Sequence, residues 1–229
     1  MKRVGVVLVF LVALFSFSMM GQVNAAVYDL NNDFSLAANP NGVWTYGAYT
    51  GLNPGSFDPY EGKGTYLTLE FWRDRTDPNI VKNTGTLLYY NDGGADITFH
   101  ADKITFGPTY GPAVARWIAP SAGMYQVDAS FATVQGINSV PNAYIFVGAN
   151  QVSLGSVTAF PNTLVYNQLL SLNAGDWIDF VVTPNSYTKT TEVSATITPV
   201  PEPGTMMLLG SGLVGLAGYG RRRMKKADG

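Results

Sequence analysis

The 229-residue sequence has no cysteine and a single histidine, His100. Without cysteine there is no thiol nucleophile and no disulfide, so the folded chain must be held by its own core. With one histidine and no G-x-S-x-G elbow beside it, nucleophile–base dyads lack parts, and His100 reads as structural. Charge is sparse, with Asp, Glu, Lys and Arg making up 13% of the chain, and it is unevenly placed. Lys2 and Arg3 lie at one end and Arg221, Arg222, Arg223, Lys225 and Lys226 at the other. Residues 26–200 hold 7 basic and 14 acidic side chains, a net of −7. A mildly acidic body is unsuited to the phosphate backbone, so no nucleic-acid partner is expected. Apolar residues at helical spacing are also missing from that body, which excludes a helical bundle.

Both ends are apolar and flanked by positive charge. Residues 1–25 combine a basic start, the uncharged run "VGVVLVFLVALFSFSMM" and the small-residue site "VNA". That is the layout of a signal peptide, with cleavage by signal peptidase expected after Ala25. Near the other end, residues 205–220 carry no charge before the basic cluster at 221–226. Sixteen helical residues reach about 24 Å, short of the ~30 Å hydrocarbon core. The basic cluster should remain in the cytoplasm and leave the body on the far side of the membrane.

Pro201-Glu202-Pro203 stands immediately before that apolar segment. The order "VPEP", short apolar helix and Arg-rich terminus resembles the PEP-CTERM sorting tail of Gram-negative bacteria. The resemblance implies an exosortase, an inner-membrane transpeptidase, as partner. It would recognise residues 200–226, cut near the triplet and release or transfer the protein to the surface. The inner membrane would then be a transient station, and the mature protein would lie at the cell surface or outside the cell.

Residues 26–199 read as one exported domain. Short alternating runs are separated by Gly, Pro, Asn and Asp: 65–72, 113–119, 124–134, 142–149, 164–172, 177–182 and 192–198. In the third, Tyr125, Val127, Ala129 and Phe131 share one face at period two. Seven or more such strands predict an all-β antiparallel sandwich, jelly-roll-like. The stretch 39–64 reads as a long decorated loop, Gly123 and Gly175-Asp176 as turn residues, and Trp117 and Trp177 as core. Arg116, next to Trp117, points to the opposite face as a surface or paired cation.

"DFSLAANPNGVWTYG" (33–47), "ARWIAPSAGMYQVDASF" (115–131) and "LNAGDWIDFVV" (172–182) resemble the β-sandwich module common in PEP-CTERM proteins. The resemblance implies the fold and no particular chemistry. The chain departs from that pattern in "KTTEV", with Lys189 and Glu192 where a "DTTGL"-like turn is usual.

Candidate chemistry is thin. Asn91, Asp92 and Asp96 in "NDGGAD" place oxygen ligands at close spacing, a candidate calcium turn, although Asn-Asp-Gly-Gly between two apolar runs reads first as a hairpin. No cofactor is expected beyond a structural Ca2+ there. Trp44, Tyr46 and Tyr49, in an aromatic and Asn-rich stretch, are the candidate sugar-stacking residues. No carboxylate pair is singled out for glycan hydrolysis, and no catalytic residue is assigned. The sequence therefore reads as a non-enzymatic surface or matrix protein, structural or adhesive, with extracellular polysaccharide as a second partner. The alternatives are a carbohydrate-binding module and, third, a secreted glycan hydrolase.

Overall fold

Alternation at period two sets the architecture. The computed structural model describes residues 26–74, 78–92, 95–135, 140–158, 163–184 and 190–201, and helical positions 210, 212, 213 and 216; the side chains of Asp92 and Ala95 are excepted. Strand β11 (Gly123–Thr133) buries every second residue, with Tyr125, Val127, Ala129 and Phe131 in the core. It is the widest element of an antiparallel eight-stranded sheet. That sheet runs β14 (Thr163–Leu172), β11, β16 (Thr191–Val200), β9 (Ile104–Gly107), β6 (Asn79–Asn83), β5 (Leu69–Arg73) and β4 (Lys63–Tyr66). A short β1 (Tyr28–Asp29) also pairs with β16.

The second sheet runs β13 (Asn150–Ser156), β12 (Asn142–Val147), β15 (Trp177–Thr183), β10 (Ala113–Ile118), β2 (Trp44–Ala48) and β3 (Asp58–Pro59). From β9 onward the chain crosses between sheets at every connection except the β12–β13 hairpin. The resulting orders, 14-11-16-9 and 13-12-15-10, are those of a jelly roll. A separate hairpin, β7 (Leu88–Asp92) and β8 (Ala95–Phe99), completes the strands.

Between the sheets lie Trp44, Tyr46, Phe106, Trp117, Tyr125, Phe131 and Phe180, all within 1–2% of full burial. Side chains of this size contribute about 1.5–3 kcal/mol each when removed from water, which lets the domain fold without disulfides. Trp117 is wedged between Tyr28 and Tyr125, at 5.5 and 5.1 Å between ring centroids.

The strand runs at 113–119, 124–134, 142–149, 164–172, 177–182 and 192–198 correspond to β10, β11, β12, β14, β15 and β16. Two expectations need correction. The stretch 39–64 is not loop throughout: β2 inserts between β10 and β3 as a paired strand of the second sheet. Its Gly47 is obligatory, since a Cβ there would sit 2.3 Å from the Asp58 carbonyl oxygen of β3. The run 65–72 is not one strand but a tight hairpin, β4–β5, turning at Leu67-Thr68. Leu67 adopts φ 54 and is exposed. Leucine rarely takes that conformation, so the usual Gly or Asn signal is missing. Gly175 takes the expected positive φ of 87, whereas Gly123 simply opens β11.

Candidate functional site

The aromatic residues singled out for sugar stacking are structural. Trp44, Tyr46 and Tyr49 are 1%, 0% and 4% exposed, so none offers a ring face to a ligand. Trp44 and Tyr46 point between the sheets; the Trp44 indole donates to Asp33 Oδ2 at 3.2 Å. The Asn39 carboxamide clamps this segment: its Oδ1 accepts from Tyr46 N, and its Nδ2 donates to the carbonyls of Tyr46 and Tyr60. Much of the Asn-Pro-Asn-Gly-x-Trp-x-Tyr-Gly stretch is thus a fastener for β2.

Tyr49 lies on the other side of the second sheet, where the Arg116 question is also answered. Arg116 Nε and Nη2 donate to the two oxygens of Asp179 at 2.7 and 2.8 Å, and the Tyr49 hydroxyl donates to Asp179 Oδ2. The guanidinium lies between the rings of Phe57, 4.1 Å away, and Trp177, 5.1 Å away. Asp179 is fully buried. Burial pushes its carboxyl above the usual range, and the hydrogen bonds from Arg116 and Tyr49 only partly offset this. Burial, followed by the charge of Asp179, also drives the Tyr49 phenol up. Trp177 is therefore not part of the inter-sheet core; it is half-buried beside Arg116 on the outer face. This cluster holds the 49–58 segment down on the sheet, and Arg116 Nη2 also donates to the Pro54 carbonyl at 3.2 Å.

His100 sits at an exposed position after β8 and pairs with Glu192 of β16 at 2.6 Å. The departure noted at Glu192 thus has a local partner in the chain's one histidine. In the β7–β8 hairpin Asn91 faces Asp96, and Asn91 Nδ2 donates to Asp96 Oδ1 at 2.7 Å. That is the cross-strand pair a hairpin requires. Among the described residues no three His, Asp or Glu side chains gather closely enough to hold a metal ion.

An open site lies elsewhere, on the outer face of the larger sheet. The β7–β8 hairpin folds over β5, β6 and β9, and Leu69, Val81, Ile97, Phe99 and Val134 make a second small core beneath it. Beside this core is a cleft of about 520 Å3. Its rim carries Tyr66 and Tyr90, exposed by 55% and 37%, edge to face with centroids 6.2 Å apart. Phe71 lies in the wall with the Arg73 guanidinium 4.4 Å from its ring centroid. Asn79, Thr109, Gln135 and Thr190 supply polar atoms. The Asn79 carboxamide lies across Gly107, where a Cβ would approach Asn79 Oδ1 to 2.6 Å. The buried Gln135 is fixed by accepting from Thr190 N at 2.9 Å. Sequence reading missed every one of these residues as a site.

The second site is the C-terminal segment. β16 ends at Val200, still paired with Met124 of β11, and the exposed Pro201 follows at once. Ala25, Glu202, Pro203, the basic residues 221–226 and most of the expected apolar helix lie outside the described residues. The sequence profile of the PEP-CTERM protein-sorting motif matches residues 199–223. This chain carries a PEP-CTERM sorting motif. The motif begins inside β16, so the sorting signal is continuous with a central strand of the sandwich.

No curated protein matches the chain. Among solved structures it is similar to vertex protein P5 of PRD1, at 12% identity and TM-score 0.32, covering 51% of this chain and 83% of that one. It is also similar to the C-terminal CBM6 of LamC, a laminarinase of Zobellia galactanivorans, at 11% identity and TM-score 0.26, covering 50% and 89%. A family 35 carbohydrate-binding module from an environmental isolate matches at 24% identity and TM-score 0.27, covering 41% and 72%.

Proposed function

We propose that this is an exported protein of the cell surface or extracellular matrix, delivered by exosortase processing and acting by contact, as a structural or adhesive component. The observation that carries the reading is the PEP-CTERM motif at residues 199–223, which begins in the last two residues of β16, the final strand of the sandwich. A folded domain attached to a short apolar tail suits cargo of a membrane-embedded enzyme, and Pro201, the first residue of the triplet, is exposed. Intact mass of the protein from surface and medium fractions tests this. The expected mass runs from about residue 26 to an end between 201 and 204. A mass that retains Arg221–Arg223, found only in inner membrane, would overturn it.

A second reading, glycan binding, is supported by the Tyr66–Tyr90 pair beside the polar groups of the cleft. Pyranose rings present C–H faces to aromatic surfaces and hydroxyls to amides and guanidinium groups. Arg73, Asn79 and Gln135 are the side chains suited to the hydroxyls. Binding is best measured by affinity electrophoresis against soluble laminarin, mannan and xylan. Tyr90→Ala is expected to weaken retardation about tenfold, equivalent to about 1.4 kcal/mol. Retardation by none of the three, or unchanged retardation of Tyr66→Ala and Tyr90→Ala, would remove this reading and leave the first standing.

A further inference from the structure

Among the described residues, three of the four edges of the two main sheets are blunted against pairing with another chain. Edge strand β4 has four residues and carries Lys63. β3 has two residues, one of them Pro59. β13 has a register break opposite Ala143/Tyr144, and its Gly155 takes φ 99. Short edges, charge, proline and bulges are the usual devices against edge-to-edge association. β14 has none of them. Its ten residues, TLVYNQLLSL, contain no charge, proline or glycine, and they pair with β11 in unbroken register from Leu172↔Gly123 to Thr163↔Ala132. Among the described residues nothing pairs with its other side.

The sequence of β14 also suggests what fits there. Its sheet-outer row reads Thr163, Val165, Asn167, Leu169, Ser171, a pattern nearly symmetric about Asn167. Val165 and Leu169 are 71% and 52% exposed. The alternate row, Leu164, Tyr166, Gln168, Leu170, is nearly symmetric about the same point. In a two-fold antiparallel pair centred on Asn167, Val165 of one chain faces Leu169 of the other. Leu164 then faces Leu170, Thr163 faces Ser171, and Asn167 faces its own copy. Registers shifted by two residues place Val165 opposite Asn167 or Ser171 instead. Such self-complementarity is what an isologous interface requires, and like-with-like cross-strand pairs are its stabilising unit.

We propose that β14 is a pairing edge for a second copy of this chain, joining two sandwiches through one continuous sheet about a two-fold axis at Asn167. The interface is independent of any ligand in the cleft, which lies at the β4–β5–β6 end of the same sheet. It gives a surface or matrix protein a built-in means of association.

The absence of native cysteine makes a direct test available. Antiparallel partners have Cα atoms about 4.5–5.5 Å apart, within disulfide range, whereas residues offset by four positions are about 13 Å apart. The full chain is exported in a Gram-negative host with single substitutions Val165→Cys, Asn167→Cys or Leu169→Cys and run on non-reducing gels. Disulfide dimer is expected for N167C alone, and for V165C co-expressed with L169C, but for neither of those singly. The co-expressed pair reads the same register without touching Asn167, so a poorly exported N167C does not spoil the test. Adding V165K/L169K to N167C should abolish the dimer, and V165K/L169E should restore it, because each introduced lysine then faces a glutamate. No dimer in either arrangement, equal dimer at all three positions, or indifference to V165K/L169K would overturn the proposal.

Discussion

Replacing Arg116 by methionine is expected to cost the fold about 3–5 kcal/mol at neutral pH, the usual penalty for stranding a buried charge. Asp179 is fully buried, and both its oxygens bond Arg116. Methionine keeps much of the packing against Phe57 and Trp177 but leaves the carboxylate with Tyr49 as its only charge-stabilising partner. The pH dependence follows from the direction of the Asp179 shift, which is already upward because of burial. A carboxyl whose folded pKa lies above its unfolded value of about 3.9 favours the fold when protonated. That contribution is complete below the unfolded value and is lost as pH rises through the folded one. The R116M penalty should therefore be largest at pH 7–8 and shrink towards pH 4, as read by urea midpoints. The double variant R116M/D179L, which removes both charges, should recover most of the loss. If it is no more stable than R116M at pH 7, the orphaned carboxylate is not the cause.

The second large effect is expected at alkaline pH. Tyr46 is fully buried and Tyr49 is 4% exposed. Burial raises both phenols well above 10, with the charge of Asp33 adding for Tyr46 and that of Asp179 for Tyr49. The folded chain keeps these two protons where the unfolded chain releases them. Their stability is thus intact below pH 10 and falls above it, by about 1.4 kcal/mol per pH unit for each tyrosine. Two together give a slope near 2.7 kcal/mol per unit, enough to consume a typical domain's stability within a few units. Urea titrations between pH 9 and 11.5 should show that slope, roughly halved in Tyr49→Phe. A wild-type curve that stays flat to pH 11 would show that these phenols ionise without unfolding.

The parts of the fold that were legible share a physical cause. β11 could be read because one face is buried and the other is not, so Tyr125, Val127, Ala129 and Phe131 stand out from Gln126, Asp128 and Ser130. β15 is buried on both faces, because the 49–58 segment covers its outer side. Alternation then cannot say which way Trp177 points, and it was misplaced in the core. β2 was hidden for a different reason: Asn39, Pro40, Asn41 and Gly42 read as loop, although the Asn39 clamp and the tight Gly47 approach prepare a strand paired on both sides. Arg116 could be placed on the face opposite Trp117, but its partner depends on the β10–β15 register, which sets it opposite Asp179. The cleft could not be read at all, because Tyr66, Phe71, Asn79, Tyr90 and Gln135 come from separate segments that meet only when the β7–β8 hairpin folds over the sheet.

The position of β16 has a consequence for how the protein is made. It is the last strand of the domain in chain order, yet it lies between β11 and β9 and contributes Val193, Ala195 and Ile197 to the core. Until that segment is available, β11 and β9 have no common neighbour and the larger sheet stays split. Closure of the larger sheet therefore waits on the end of the domain, a late and non-local step of the kind that slows folding. On the route proposed above, the final strand and the Pro201-Glu202-Pro203 triplet would emerge within a few residues of each other, so completion of the fold and presentation for cleavage would be nearly simultaneous.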